Sequence, residues 1–188
     1  MGANQKLKKI ICLHAGPGAG KSTLCAGLYY HLKMLNFNCE MNREYIKDWV
    51  WEGRDIRPGD QTYFFSKQSR RERIYIEQGL DFIITDSPLI LNYFYGQKYD
   101  TYEQKYNTIP KMLKNHHSFC KDHGYKTEHF FIERTRAYNP AGRLQTKEES
   151  ILYDEEVKRL LERFKINYHC IQSGKSSVKE ILQILDVS

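Results

Sequence analysis

The chain has 188 residues, 40% of them hydrophobic and 28% charged, which suits one soluble domain with a substantial core. It has no run of about 18 apolar residues, which excludes a transmembrane helix, and the polar, basic stretch Met1 to Lys9 lacks the apolar core of a signal peptide. The formal charge of +6 favours an anionic partner, either nucleotides or nucleic acid (DNA included), over a membrane.

Lys8 to His14 reads as a first strand, buried on both faces because its apolar run is continuous. Ala15-Gly16-Pro17-Gly18-Ala19-Gly20-Lys21-Ser22 follows it, with the spacing of a relaxed P-loop in which Ala15 stands for the first Gly. From Ser22 to Asn36, Leu24, Leu28, Leu32 and Leu35 recur at helical spacing. Phe37 to Met41 is a short second strand. Arg43 to Trp51 is helical and closed by Gly53, and Asp60 caps a polar helix that runs to Gln78.

Asp81 to Asp86 is the next strand, apolar within and ending in a carboxylate before Ser87-Pro88. Leu89 to Thr108, rich in Tyr, Asn, Gln and Lys, has no clear period. Ile109, Met112, Leu113, His116, Phe119 and Cys120 mark one face of a helix that stops near Gly124. His129 to Ile132 is the fourth strand, followed by a loop over about 133–146 that carries Arg134, Arg136 and Arg143. Thr146 and Glu149 form a capping box for a helix with Tyr153, Val157, Leu160, Leu161 and Phe164 inward. Ile166 to Ile171 is the fifth strand. Ser177 and Glu180 read as a second box, opening a last helix with Val178, Ile181, Leu182 and Leu185 inward.

Strands alternating with helices predict an α/β fold on a parallel sheet of about five strands, with helices on both faces. The ligand crevice is expected at the carboxyl ends of the strands. No linker or repeat divides residues 1–188, so a single domain is expected. The five cysteines (Cys12, Cys25, Cys39, Cys120, Cys170) form no CxxC pair, and a reduced, cytoplasmic setting is expected. His116, His117, His123 and His129 show no ligand spacing, so no zinc centre is expected.

The loop predicts triphosphate binding. Small residues at Gly16, Pro17, Gly18, Ala19 and Gly20 let backbone N–H groups approach phosphate oxygens, and the helix from Thr23 adds partial positive charge. Lys21 reaches the β- and γ-phosphates, and Ser22 can ligate Mg²⁺. Asp86 has the position of a Walker B carboxylate, as metal partner or base, and reads also as a helix cap before Ser87-Pro88. No Glu follows Asp86, unlike ATP-driven motors, and no Asn-Lys-x-Asp motif marks a GTPase. Arg134, Arg136 and Arg143 suit a lid that closes on the nucleotide and neutralises the transferring group. Glu44, then Glu40, could accept the proton of an acceptor hydroxyl. Gln68, Arg70, Arg71 and Arg73 are further candidates for touching the acceptor. The other class of reading is an ATPase or nucleotide-binding regulatory module without an acceptor.

The P-loop, Arg43-Glu44-Tyr45, Ile83 to Pro88 and the arginine loop together resemble the P-loop kinases related to ribosylnicotinamide kinase and to nucleoside and nucleotide kinases. The likeness is sharpest to phage-encoded small P-loop kinases, among them enzymes that phosphorylate 5-hydroxymethyluridine in DNA. The resemblance implies a P-loop NTPase three-layer sandwich with strand order 2-3-1-4-5, and Mg²⁺-ATP as phosphoryl donor. It implies an acceptor hydroxyl or phosphate on a nucleoside or nucleotide. Lys21, Ser22 and Asp86 take the family's phosphate and metal roles, with Glu44, Arg134 and Arg136 in catalytic ones. The Asp-Gly-x-Pro-Arg motif of adenylate-kinase-type enzymes is absent.

Overall fold

A computed structural model of the chain describes residues 8–135, 139 and 146–187. The apolar run Ile10 to Leu13 makes β1 (Lys9–His14) the central strand, buried from both sides. It pairs in parallel with β3 (Phe82–Thr85) on one edge and β4 (Lys126–Glu133) on the other. β2 (Cys39–Asn42) flanks β3 and β5 (His169–Gln172) flanks β4, so the order is β2-β3-β1-β4-β5, all parallel. This is the expected P-loop NTPase arrangement.

Successive side chains of a strand point to opposite faces, so each strand feeds two cores. Ile11, Leu13, Phe82 and Ile84 pack under α1 (Lys21–Met34) and α8 (Ser177–Ile184), against Leu24, Leu28, Leu32 and Ile181. Ile10, Cys12 and Ile83 face the opposite layer, formed by α3 (Asp60–Glu77), α4 (Ile90–Tyr99), α6 (Ile109–Asp122) and α7 (Lys147–Arg163). Two short helices complete the described chain, α2 (Ile46–Trp51) and α5 (Thr101–Tyr106).

The segment without a clear period, Leu89 to Thr108, folds as α4 and α5. Its hydrophobic residues are buried almost all round in α4, where Ile90, Leu91, Tyr93 and Phe94 are all buried, so no single stripe exists to be read. The buried Asp100 joins the two helices. Its carboxylate accepts from the amides of Tyr102 (2.9 Å) and Glu103 (3.2 Å) at the start of α5. It also accepts from Gly59 (2.8 Å) and Gln61 (3.3 Å) at the start of α3. Asp60, read as the cap of α3, is instead its first residue and accepts from the Arg57 amide.

Other expected details shift. β2 begins two residues later than Phe37, and β5 starts at His169 rather than Ile166. Leu35 is 41% exposed beyond the end of α1, and Cys170 lies exposed on the edge strand. The Thr146–Glu149 capping box forms in both directions. The Ser177–Glu180 box does not: Ser177 Oγ accepts from the Gly174 amide at 2.7 Å and closes the preceding turn. No helix among the described residues is long and apolar enough to cross a membrane.

Candidate active site

β1 ends at His14, and the loop Ala15 to Gly20 turns the chain into α1. Gly18 and Gly20 have φ of 82° and 102°, the left-handed region that a side chain disfavours. Gly16 is required for a different reason. A Cβ there would stand 2.5 Å from the Ser150 carbonyl oxygen, because α7 crosses directly over the loop. The first turn of α1 carries no acidic side chain, so its positive end stays available to an anion. Ser22 and Thr23, in that turn, are exposed.

Lys21 Nζ donates to the loop's own carbonyls, Ala15 at 2.8 Å and Gly16 at 2.9 Å. Burial pushes its pKa down, while the carboxylates of Glu44, Asp86 and Asp154 pull it back up and Arg134 adds to the lowering. Five charged groups therefore meet around the loop. Asp86 is 6% exposed at the end of β3, the strand beside β1, and its Oδ1 accepts the Glu44 amide at 3.0 Å. That contact brings the segment after β2 to the end of β3. Tyr95 of α4 lies against the same corner: burial first, then the charge of Glu44, raises its phenol pKa.

Arg134 leaves the end of β4. It donates from Nε to Asp154 Oδ2 at 3.0 Å and from Nη2 to the Ser150 carbonyl at 3.3 Å. Asp154 Oδ1 in turn accepts the Gly16 amide at 2.6 Å, so α7, the P-loop and Arg134 are tied at one point. Arg134 Nη1 is buried with no hydrogen-bond partner among the described residues. A buried cationic donor without an acceptor is costly, and a phosphate oxygen would satisfy it.

Of the expected residues, Gly16 to Thr23, Glu44, Asp86 and Arg134 converge here. Arg136 and Arg143 lie outside the described residues. Glu40 does not converge: it sits near the start of β2 and pairs with Lys33 in the last turn of α1, at 3.7 Å. Gln68 is buried and structural. Its Nε2 donates to the Ser87 carbonyl at 3.0 Å and its Oε1 accepts from Asn92 at 3.1 Å, which holds the chain just past Asp86. Arg71 donates to the Arg43 carbonyl and Arg73 lies over the Phe119 ring, so both serve packing. Asp154 was missed. It follows the inward Tyr153, and a polar residue beside a core stripe looks like the edge of a solvated face.

The donor set fits the groups a P-loop serves. The Ser22 hydroxyl and the Asp86 carboxylate are hard oxygen ligands of the kind Mg²⁺ prefers, while Lys21 and Arg134 supply N–H donors for phosphate.

A family model described as an AAA domain matches residues 10–180. No curated protein matches the chain in sequence. Among solved structures, the chain is similar to the NadR protein in complex with NR, with a TM-score of 0.70 and 14% identity. That likeness covers 97% of this chain and 53% of the other, so this chain spans about half the length of that protein. It is similar also to APE1195, with a TM-score of 0.52, 14% identity and 96% of each chain covered.

Proposed function

The chain belongs to the AAA-domain family, and we propose that it is a Mg²⁺-ATP-dependent kinase for a nucleoside- or nucleotide-type acceptor. The observation that carries the reading is the paired corner of Glu44 and Asp86, joined by a 3.0 Å hydrogen bond and both acting on the half-buried Lys21. Phosphoryl transfer needs the donor phosphates held, the charge on the moving group neutralised and a hydroxyl oriented. Lys21 and the loop amides hold the phosphates, which requires Lys21 to leave its contacts to Ala15 and Gly16. Arg134 Nη1 turns to the transferring group. Ser22 and Asp86 would hold Mg²⁺, which would supply neutralisation of phosphate charge. Glu44 accepts or orients the acceptor proton, with Tyr95 excluding water beside it. Arg136 and Arg143 complete the closure as lid residues.

A pure ATPase would need an acid that activates water next to Asp86. That position is Ser87, whose carbonyl is engaged by Gln68. The likeness to the NadR protein in complex with NR supports a small nucleoside-like acceptor. The basic charge and the resemblance to phage enzymes support a hydroxymethyl pyrimidine within DNA as the other acceptor of this class.

The test is transfer of label from γ-labelled ATP to free nucleosides, nucleoside monophosphates, and DNA with and without hydroxymethylated pyrimidines. Label is expected in one acceptor class, and about 10²–10³-fold less of it with Lys21→Ala. Hydrolysis of ATP at full rate with no labelled acceptor would overturn the kinase reading in favour of an ATPase or regulatory module. Label confined to modified DNA, and lost steeply with salt, would identify the polymer as acceptor.

A further inference from the structure

On the face of β1 away from α1, Cys12 and His14 follow one another at strand spacing. In the parallel register Cys12 lies directly opposite His129 of β4. The sheet thus gathers a thiol and two imidazoles, and one ligand atom from each lies within 4.8 Å of the others. His14 Nε2 and His129 Nδ1 share a hydrogen bond at 2.9 Å. His14 is fully buried, and its Nδ1 has no partner among the described residues. We propose that Cys12, His14 and His129 bind one zinc ion beneath the P-loop.

The donor chemistry selects the ion. One thiolate and two imidazoles are the soft and borderline ligands of Zn²⁺, and they suit Mg²⁺ or Ca²⁺ poorly. Tetrahedral zinc with bonds of about 2.0–2.3 Å sets its ligand atoms about 3.3–3.6 Å apart. The two imidazoles therefore part by a few tenths of an ångström, and the sulfur, within 4.8 Å of both, has at most about 1 Å to close. A cavity of about 840 Å³ opens onto the cluster and is lined by Cys12, His129, His117 and Cys120 among others. It provides an access route for the ion and space for water at the fourth position.

Binding is a simple exchange. The Cys12 thiol releases its proton to solvent as the Zn–S bond forms. The N–H shared between His14 Nε2 and His129 Nδ1 moves to the other nitrogen of the ring that carries it, so each imidazole keeps one N–H and gives one lone pair, and zinc stays divalent. The site is separate from the oxygen-ligand Mg²⁺ position at Ser22 and Asp86. It lies one residue from the loop, since His14 precedes Ala15, whose carbonyl receives Lys21.

The experiment titrates Co²⁺ into the chelator-stripped full chain without nucleotide. One equivalent is expected to give a thiolate-to-cobalt charge-transfer band and the visible bands of a tetrahedral ion, both bleached by one equivalent of Zn²⁺. Cys12→Ser removes the charge-transfer band. His129→Gln, shown to be folded by circular dichroism, weakens Zn²⁺ binding at least 10-fold. Cys170→Ser, at an exposed thiol, leaves the spectrum unchanged. Wild-type protein without a charge-transfer band overturns the proposal and needs no variant to fold. So does a band that survives Cys12→Ser, or undiminished Zn²⁺ binding in folded His129→Gln.

Discussion

Lys21 holds different partners with and without a phosphate. In this structure its ammonium closes the loop on itself through Ala15 and Gly16, and a triphosphate would exchange those carbonyls for charged oxygens. Lys21→Ala should keep the fold and lower phosphoryl transfer about 10²–10³-fold, the range for removing one preorganised donor; steady-state kinetics beside a urea melt separates the two effects. The imidazoles of the buried His14 and the half-buried His129 make a second residue-scale prediction. Burial lowers the pKa of His14 well below its ordinary value, and that of His129 to about 4. Unfolded imidazoles titrate near 6.5, so below that pH the unfolded chain binds more protons and stability falls as pH drops toward 4. The slope is on the order of 1 kcal/mol per pH unit for each imidazole, and the contribution is complete above about pH 7. Urea midpoints at pH 7 and pH 5, with chelator present, should differ in that direction, and His129→Gln should flatten the difference. Lys21, Asp86 and Glu44 could be picked out because local motifs carry them. The Cys12–His14–His129 cluster could not. Period-two alternation puts Cys12 and His14 on one face, but nothing local says that His129 comes to lie beside Cys12.

At the scale of elements, the contacts that matter most are between pieces far apart in sequence. Asp100 caps α3 and α5 together, through amides of Gly59, Gln61, Tyr102 and Glu103. Asp100→Ala leaves several buried or half-buried donors without acceptors and should cost about 2–4 kcal/mol by urea unfolding. Asp60→Ala, at the residue that local reasoning favours as the cap, should cost about 0.5–1 kcal/mol. The capping box at Thr146 was legible because its partners are three residues apart; Asp100 was not, because half of its work is done 41 residues away. The loop–α7 crossing gives a further test. Gly16→Ala drives a methyl group into the Ser150 carbonyl and should destabilise the protein by about 1–3 kcal/mol. It should also weaken nucleotide binding, measured by titration calorimetry, because α7 is displaced from the loop. Motif reasoning assigns Gly16 to phosphate approach alone, and the second constraint becomes visible only once α7 is in place.

The molecule as a whole was the most legible level. Strands buried on both faces read as continuous apolar runs, and their alternation with amphipathic helices leaves few arrangements open. The order β2-β3-β1-β4-β5 came with the family resemblance, and the register bears it out. The acceptor side was less legible, because the corner proposed for it draws on α4 and on the segment after β2, where no stripe or motif marks a side chain's direction. The central place of β1 has a consequence for how the protein is made. Lys9 pairs with Phe82 on one side and Lys126 on the other, so the strand that delivers the P-loop leaves the ribosome long before either neighbour. At roughly 5–20 residues per second, the span from Lys9 to Lys126 takes on the order of 6–25 seconds to synthesise. Until Phe82 emerges β1 has no strand to pair with, and its second neighbour arrives only with β4. The parallel sheet around the P-loop is therefore completed late in synthesis, and nucleotide is expected to favour folding only from that point on.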